Sequence, residues 1–175
     1  MGIAYMFGGL FFQVAYILAL TVICSRDFLS FSCYKLMATL GFMDLLCTCF
    51  SAHLSGFFYI VGAEYCMYPR LQYVSGAVIV GSFATVCQLS NVLVINRIID
   101  FWRPPLGRFL FEGAQTWIYI IVILAYGLVA IWKAPPVVFS ADYGAWIFHP
   151  LIPGKLDYQY ASLFQTVNNL VTSAV

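Results

Sequence analysis

Long apolar runs separated by short polar stretches set the plan of this chain. About 20 apolar residues in a helix cross the hydrocarbon core of a bilayer, and four runs reach that length. The first extends from about Gly2 to Cys24 and carries no charge. The second, about Leu36 to Ala63, has Asp44 as its only acidic or basic residue apart from His53. The third, about Tyr73 to Ile95, is again uncharged, and the fourth covers about Trp117 to Lys133. A fifth opens near Tyr160 and meets Val175 before it is long enough to span. The pattern therefore predicts helices over about 2–24, 36–63, 73–95, 117–133 and 160–175, the last incomplete, as though the chain were cut inside a helix.

The runs are continuously apolar rather than alternating, which favours helices over a barrel, because a backbone in lipid must satisfy its own hydrogen bonds. The first run is too long for a secretory signal and lacks a basic leader and a small-residue cleavage site, so it reads as a retained anchor. Composition strengthens the picture: 63% of residues are hydrophobic and 9% charged, too few charges to coat a water-facing surface. The expected fold class is all-α, a polytopic transmembrane helix bundle in a lipid bilayer.

Arg26, Lys35, Arg97, Arg103 and Arg108 fall in loops 1 and 3, against Arg70, Lys133 and Lys155 in loops 2 and 4. The positive-inside rule then puts loops 1 and 3 in the cytoplasm and the N-terminus outside. The 6 cysteines form no disulfide framework: Cys47, Cys49 and Cys87 fall within spans, Cys24 and Cys33 at the cytoplasmic side, and Cys66 alone in an outer loop. Most of them read as small buried apolar residues. There is no CxxC pair, no zinc spacing and no N-glycosylation sequon.

Ionisable groups within a span are costly and point to function. Asp44 lies eight residues in from Leu36, roughly 12 Å at 1.5 Å per residue. Counting the same distance back from Arg97 reaches Gln88, Ser90 and Asn91, so a polar site between helices 2 and 3 is expected from Asp44, Gln88, Ser90 and Asn91. Two roles stay open for it: a place for a cation such as sodium or a shared proton, or a hydrogen-bond network that fixes the helices. His53, farther along helix 2, reads as a packing residue more readily than as a ligand. Ala52 and Gly56, like Ala77 and Gly81, have the small-xxx-small spacing of close helix packing. The chain shows no nucleophile elbow, no HExxH, no phosphate loop and no pair of close carboxylates, and hence no enzyme chemistry, resident metal or cofactor. A formal net charge of +1 offers no basic patch for nucleic acid.

Asn96-Arg97 followed by Pro104 resembles the end of helix 3 in rhodopsin-like receptors, where an acid-Arg pair precedes a proline by seven residues. Leu40 and Asp44 resemble the Leu-x-x-x-Asp of their helix 2. The closer resemblance is to the nematode serpentine chemoreceptors of class T. It is carried by Ser32 to Met37 leading to Asp44, by Gly62 to Pro69 in loop 2, and by Asn96-Arg97. Pro135 to Phe139, Trp146 to Pro150 and Asn168-Asn169 complete it.

That resemblance implies a seven-helix receptor, of which this chain holds helices 1–4 and the start of 5. It implies detection of an external small molecule or peptide and coupling to a heterotrimeric G protein. By it, Asn96 and Arg97 belong to an inner switch, and Phe101, Trp102, Arg103 and Pro104, with Ile98, meet the G protein. The ligand pocket would lie between the outer helix halves, where His53, Tyr59 and Tyr73 are candidates by depth alone. The chain departs from these patterns at Asn96, where rhodopsin-like receptors carry an acid, and at His149, where an acidic residue is expected. It departs again in loop 4, whose lack of Cys forbids the receptor-type disulfide to helix 3. Without helices 6 and 7 the chain is not expected to signal. Two other classes remain open on the residues alone: a small ion or proton transporter or channel subunit using Asp44, and a non-signalling membrane scaffold or remnant.

Overall fold

The computed structural model describes residues 1–63, 67–133, 135, 137–148 and 163–174. Cys66, His149, Lys155 and Tyr160, which enter the sequence reading, lie outside the described residues. Helix α1 spans Gly2–Ile23, and a 3₁₀ turn at Phe28–Ser30 leads to α2, Ser32–Thr48. A π-helical stretch, Cys49–Leu54, continues without a break into α3, Ser55–Val61. Pro69–Trp102 forms α4, Pro104–Phe111 α5 and Gln115–Lys133 α6. Two strands, β1 (Val138–Ser140) and β2 (Ala145–Ile147), precede α7, Leu163–Ala174.

Four helical units have the length and apolarity to cross a bilayer: Gly2–Ile23, Ser32–Val61, Pro69–Trp102 and Gln115–Lys133. Together they make the all-α membrane bundle that the hydrophobic pattern predicts. Their outward surfaces are apolar. Phe7, Phe11, Leu18 and Trp132 are exposed by 68%, 72%, 63% and 87%. Contiguous exposure of this kind is tolerable only where lipid is the solvent.

α4 is the hub, packing on α2, α5, α6, α7 and β1. It starts with Pro69 at its first turn, where the missing N–H costs nothing. It then continues past the apolar run to Trp102, because hydrogen bonding along a helix does not end where lipid does. Its 34 residues give about 51 Å at 1.5 Å per residue, more than the hydrocarbon thickness.

Small residues bring the helices together. A Cβ on Gly2 would fall 2.7 Å from the carbonyl oxygen of Gly56, and one on Gly81 would fall 2.9 Å from that of Gly127. α1 thus rests on α3, and α4 on α6, nearly backbone to backbone. Leu36, Leu89, Ile120 and Ile123 fill the seam between α2, α4 and α6.

The β-hairpin in loop 4, like α5 in loop 3, is an element the apolar-run pattern misses. Val138 pairs with Ile147 and Ser140 with Ala145, and Gly144 turns the corner at φ 60°. Its aromatic residues pack onto the bundle: Phe58, Phe139 and Trp146 form one cluster, joined by Tyr59. Short strands of this type carry too few residues to register beside 20-residue runs, although Val138-Phe139, Gly144 and Trp146-Ile147 have hairpin chemistry.

Candidate functional site

The polar residues of the bundle gather at four levels. At the Met1 end, the Trp146 indole N–H donates to Ser55 Oγ at 2.7 Å, and the Ser55 hydroxyl donates in turn to the Ser51 carbonyl. Tyr59 lies against Gly144 of the hairpin turn. The Tyr5 hydroxyl reaches the Gly144 carbonyl at 3.4 Å. The hairpin therefore caps the space between α1, α3 and α4, and noncovalent contacts hold it there. In the first turn of α4 Gln72 is completely buried, and both its amide atoms lack a partner.

One level deeper, His53 Nε2 and Gln13 Oε1 are 2.9 Å apart, joining the π-helical stretch to α1. Tyr73, by contrast, faces outward with 54% exposure. The three residues picked out by depth thus go three ways: His53 to α1, Tyr59 to the hairpin and Tyr73 to the bundle exterior.

At mid-depth the Tyr16 hydroxyl donates to Asp44 Oδ2 at 3.0 Å. Gln88 Nε2 donates to Asn168 Oδ1 at 2.9 Å, and the Tyr126 hydroxyl reaches the same oxygen at 3.4 Å. Of the site expected from Asp44, Gln88, Ser90 and Asn91, Asp44 and Gln88 make side-chain hydrogen bonds to two different helices. Among the described residues, Asp44 has its hydrogen bond with α1, and Gln88 has its own with α7. Counting residues fixes height along a helix but not the direction a side chain faces. Asn91 is buried with its Nδ2 unpartnered, as is Asn168 Nδ2, and Ser90 is half-buried.

At the opposite end, Asn96 is completely buried, its amide 3.5 Å from Ser32 Oγ at the start of α2. Its Oδ1 has no partner. Arg97, one residue on and about 100° round the helix, is exposed and lies with Asp100 beside Cys33. Phe101 and Trp102 are exposed by 84% and 80%, and Arg103 and Pro104 are exposed too. Pro104 begins α5, so the segment read as loop 3 contains a helix.

Tyr16, Gln13 and Ser55 escaped the sequence reading, while Ser32 and Trp146 entered it only through the family resemblance, with no contact expected of them. Gln13 and Tyr16 did leave a signal, being three residues apart on one face of an uncharged span. Ser55 and Trp146 are 91 positions apart, and no local pattern connects them. Among the described residues no cluster of three or more His, Cys, Asp or Glu could hold a metal.

A bundle of apolar helices with a capped end, a buried polar middle and an Asn-Arg step at the far end has the build of a serpentine receptor. The family model described as serpentine type 7TM GPCR chemoreceptor Srt matches residues 1–175, and the chain belongs to that family. It is an integral, multi-pass membrane protein of receptor class. No curated protein and no solved structure matches it.

Proposed function

We propose that the chain serves a G-protein-coupled chemosensory receptor. An external small molecule or peptide binds at the Met1 end, and a cytoplasmic heterotrimeric G protein is engaged at the Arg97 end. The N-terminus lies outside, in the plasma membrane of a sensory cell. The contrast at the end of α4 carries this reading. Asn96 is buried against Ser32 of α2, while Arg97 beside it is exposed. Any shift of α4 against α2 must therefore move a guanidinium and the exposed Phe101, Trp102, Arg103 and Pro104 together. A packed interface has discrete arrangements rather than continuous ones, so a ligand that prefers one arrangement biases the whole step.

Asp44 and its Tyr16 contact then act as the hinge-side fastening of α2 to α1. The Gln88–Asn168 amide contact holds α4 to α7.

The test is Arg97→Ala in a receptor carrying all seven helices, read as guanine-nucleotide exchange evoked by a panel of small organic molecules and peptides. Loss of evoked exchange at unchanged surface expression is the expected result. Retained exchange removes Arg97 from the switch.

A further inference from the structure

At the Arg97 end, the turn after α1, the start of α2, the end of α4 and α5 enclose a cleft of about 480 Å³. Ser30, Ser32, Asp100, Gly107, Arg108 and Glu112 line it. We propose that this cleft binds the headgroup of an aminophospholipid, taking its primary ammonium on Asp100 and Glu112 and its phosphate on Arg108 and the Ser32 hydroxyl.

The charges give the first reason. Two carboxylates and one guanidinium share a single cleft, yet among the described residues none of the three has an ion-pair partner. Opposite charges left apart across a gap suit a ligand that carries both signs on a short linker. A purely anionic headgroup would meet two carboxylates, and a simple cation would meet the guanidinium.

Depth is the second reason. Ser32 is the first residue of α2, Asp100 lies in the last turn of α4, and Glu112 stands three residues before α6 begins. The cleft is therefore level with the points where the spans leave the hydrocarbon, within the headgroup layer of roughly 5–7 Å per side. Phe31, Phe101 and Trp102 are exposed by 62%, 84% and 80% at the same end, the placement of an interfacial aromatic belt. A lipid, rather than a soluble metabolite, is what this level presents.

The third reason is the build of the floor. The Asp100 carboxylate lies directly against Gly107, where any Cβ would collide with Oδ1. The glycine thus lets a carboxylate rest on the face of α5 instead of being pushed aside. At the back of the cleft, Ser32 Oγ has the Asn96 amide at 3.5 Å. Lys35 Nζ, 3.5 Å from the Gly113 carbonyl, ties the rim of the cleft to α2.

A primary ammonium offers three N–H donors to carboxylates and a quaternary one offers none, so ethanolamine should be preferred to choline. The inference does not depend on which leaflet this end faces.

The test uses the purified chain in a mild detergent with an equimolar mixture of phosphatidylethanolamine, phosphatidylcholine and phosphatidylglycerol of matched acyl chains. Native mass spectrometry reads the lipid that stays bound. Phosphatidylethanolamine should be retained over each competitor by about tenfold, the scale of one charge-assisted hydrogen bond. Asp100→Asn with Glu112→Gln should erase the preference over phosphatidylcholine. Arg108→Gln should lower retention of both zwitterionic lipids. Equal retention of all three lipids by the unaltered chain overturns the proposal whatever the variants do. So does a preference for phosphatidylglycerol, or an ethanolamine preference that survives both carboxylate changes in a helical, folded variant.

Discussion

The Trp146 indole nitrogen sits 2.7 Å from Ser55 Oγ, and that contact joins the loop 4 hairpin to the second membrane crossing. The ring also packs 6.0 Å from Phe58 and 5.6 Å from Phe139, both edge-on. One side chain therefore combines a hydrogen bond with two aromatic contacts, each geometry favourable for the ring quadrupole. The hairpin needs such a fastening, since three-residue strands cannot stand alone.

Trp146→Phe keeps the ring contacts and deletes the donor. The expected cost is about 1 kcal/mol, seen as roughly fivefold faster hydrogen exchange at hairpin amides in detergent. Trp146→Ala removes the ring as well and should release the hairpin more completely. Exchange at the original rate in Trp146→Phe would assign the docking to the aromatic contacts alone.

The Tyr16–Asp44 pair is suited to a double-mutant cycle. Tyr16→Phe removes the donor and Asp44→Leu the acceptor, and their coupling should be about 0.5–1.5 kcal/mol, the range for polar contacts between membrane helices. Reversible unfolding in mixed micelles supplies the four stabilities. Additive effects would show that the hydroxyl and the carboxylate do not stabilise one another. A sodium-dependent stability that Asp44→Asn abolishes would instead make the pair a cation site.

Gly127 and Gly8 offer a contrast within the membrane. A Cβ on Gly127 runs into Thr85 Oγ1 and comes within 3.2 Å of the Gly81 carbonyl, whereas one on Gly8 meets nothing within 4 Å. Gly127→Val should therefore push α6 off α4 at a cost of about 2–3 kcal/mol, lowering the unfolding midpoint in detergent. Gly8→Val should leave it within about 0.5 kcal/mol. Equal effects would mean that α4 and α6 do not cross at Gly81 and Gly127.

Much of this architecture is legible along the chain. The four crossings follow from continuous apolarity, and the α1 run, uncharged from Gly2 to Cys24, needs no neighbour to declare itself. Asn96-Arg97 with Pro104 marked the far end of α4 and the family. Loop 4 was harder. Its hairpin depends on Phe139 and Trp146 finding Phe58, and that meeting is set by how α2, α3 and α4 pack. The mid-membrane polar residues were found by depth, but their partners were not. Asp44 and Gln88 lie at similar heights, yet one turns to Tyr16 on α1 and the other to Asn168 on α7.

By itself, then, the sequence determined that this protein lives in lipid, where it crosses, and which family it resembles. Those properties rest on summed transfer free energies and on local spacing, which each segment carries alone. The tertiary structure decided which polar group meets which, where the hairpin seats, and that Asp100 and Arg108 line one cleft. These depend on the rotation of each helix about its axis and on close approaches at Gly2, Gly81 and Gly127. Both are set by packing between segments far apart in the chain, and no single segment encodes them.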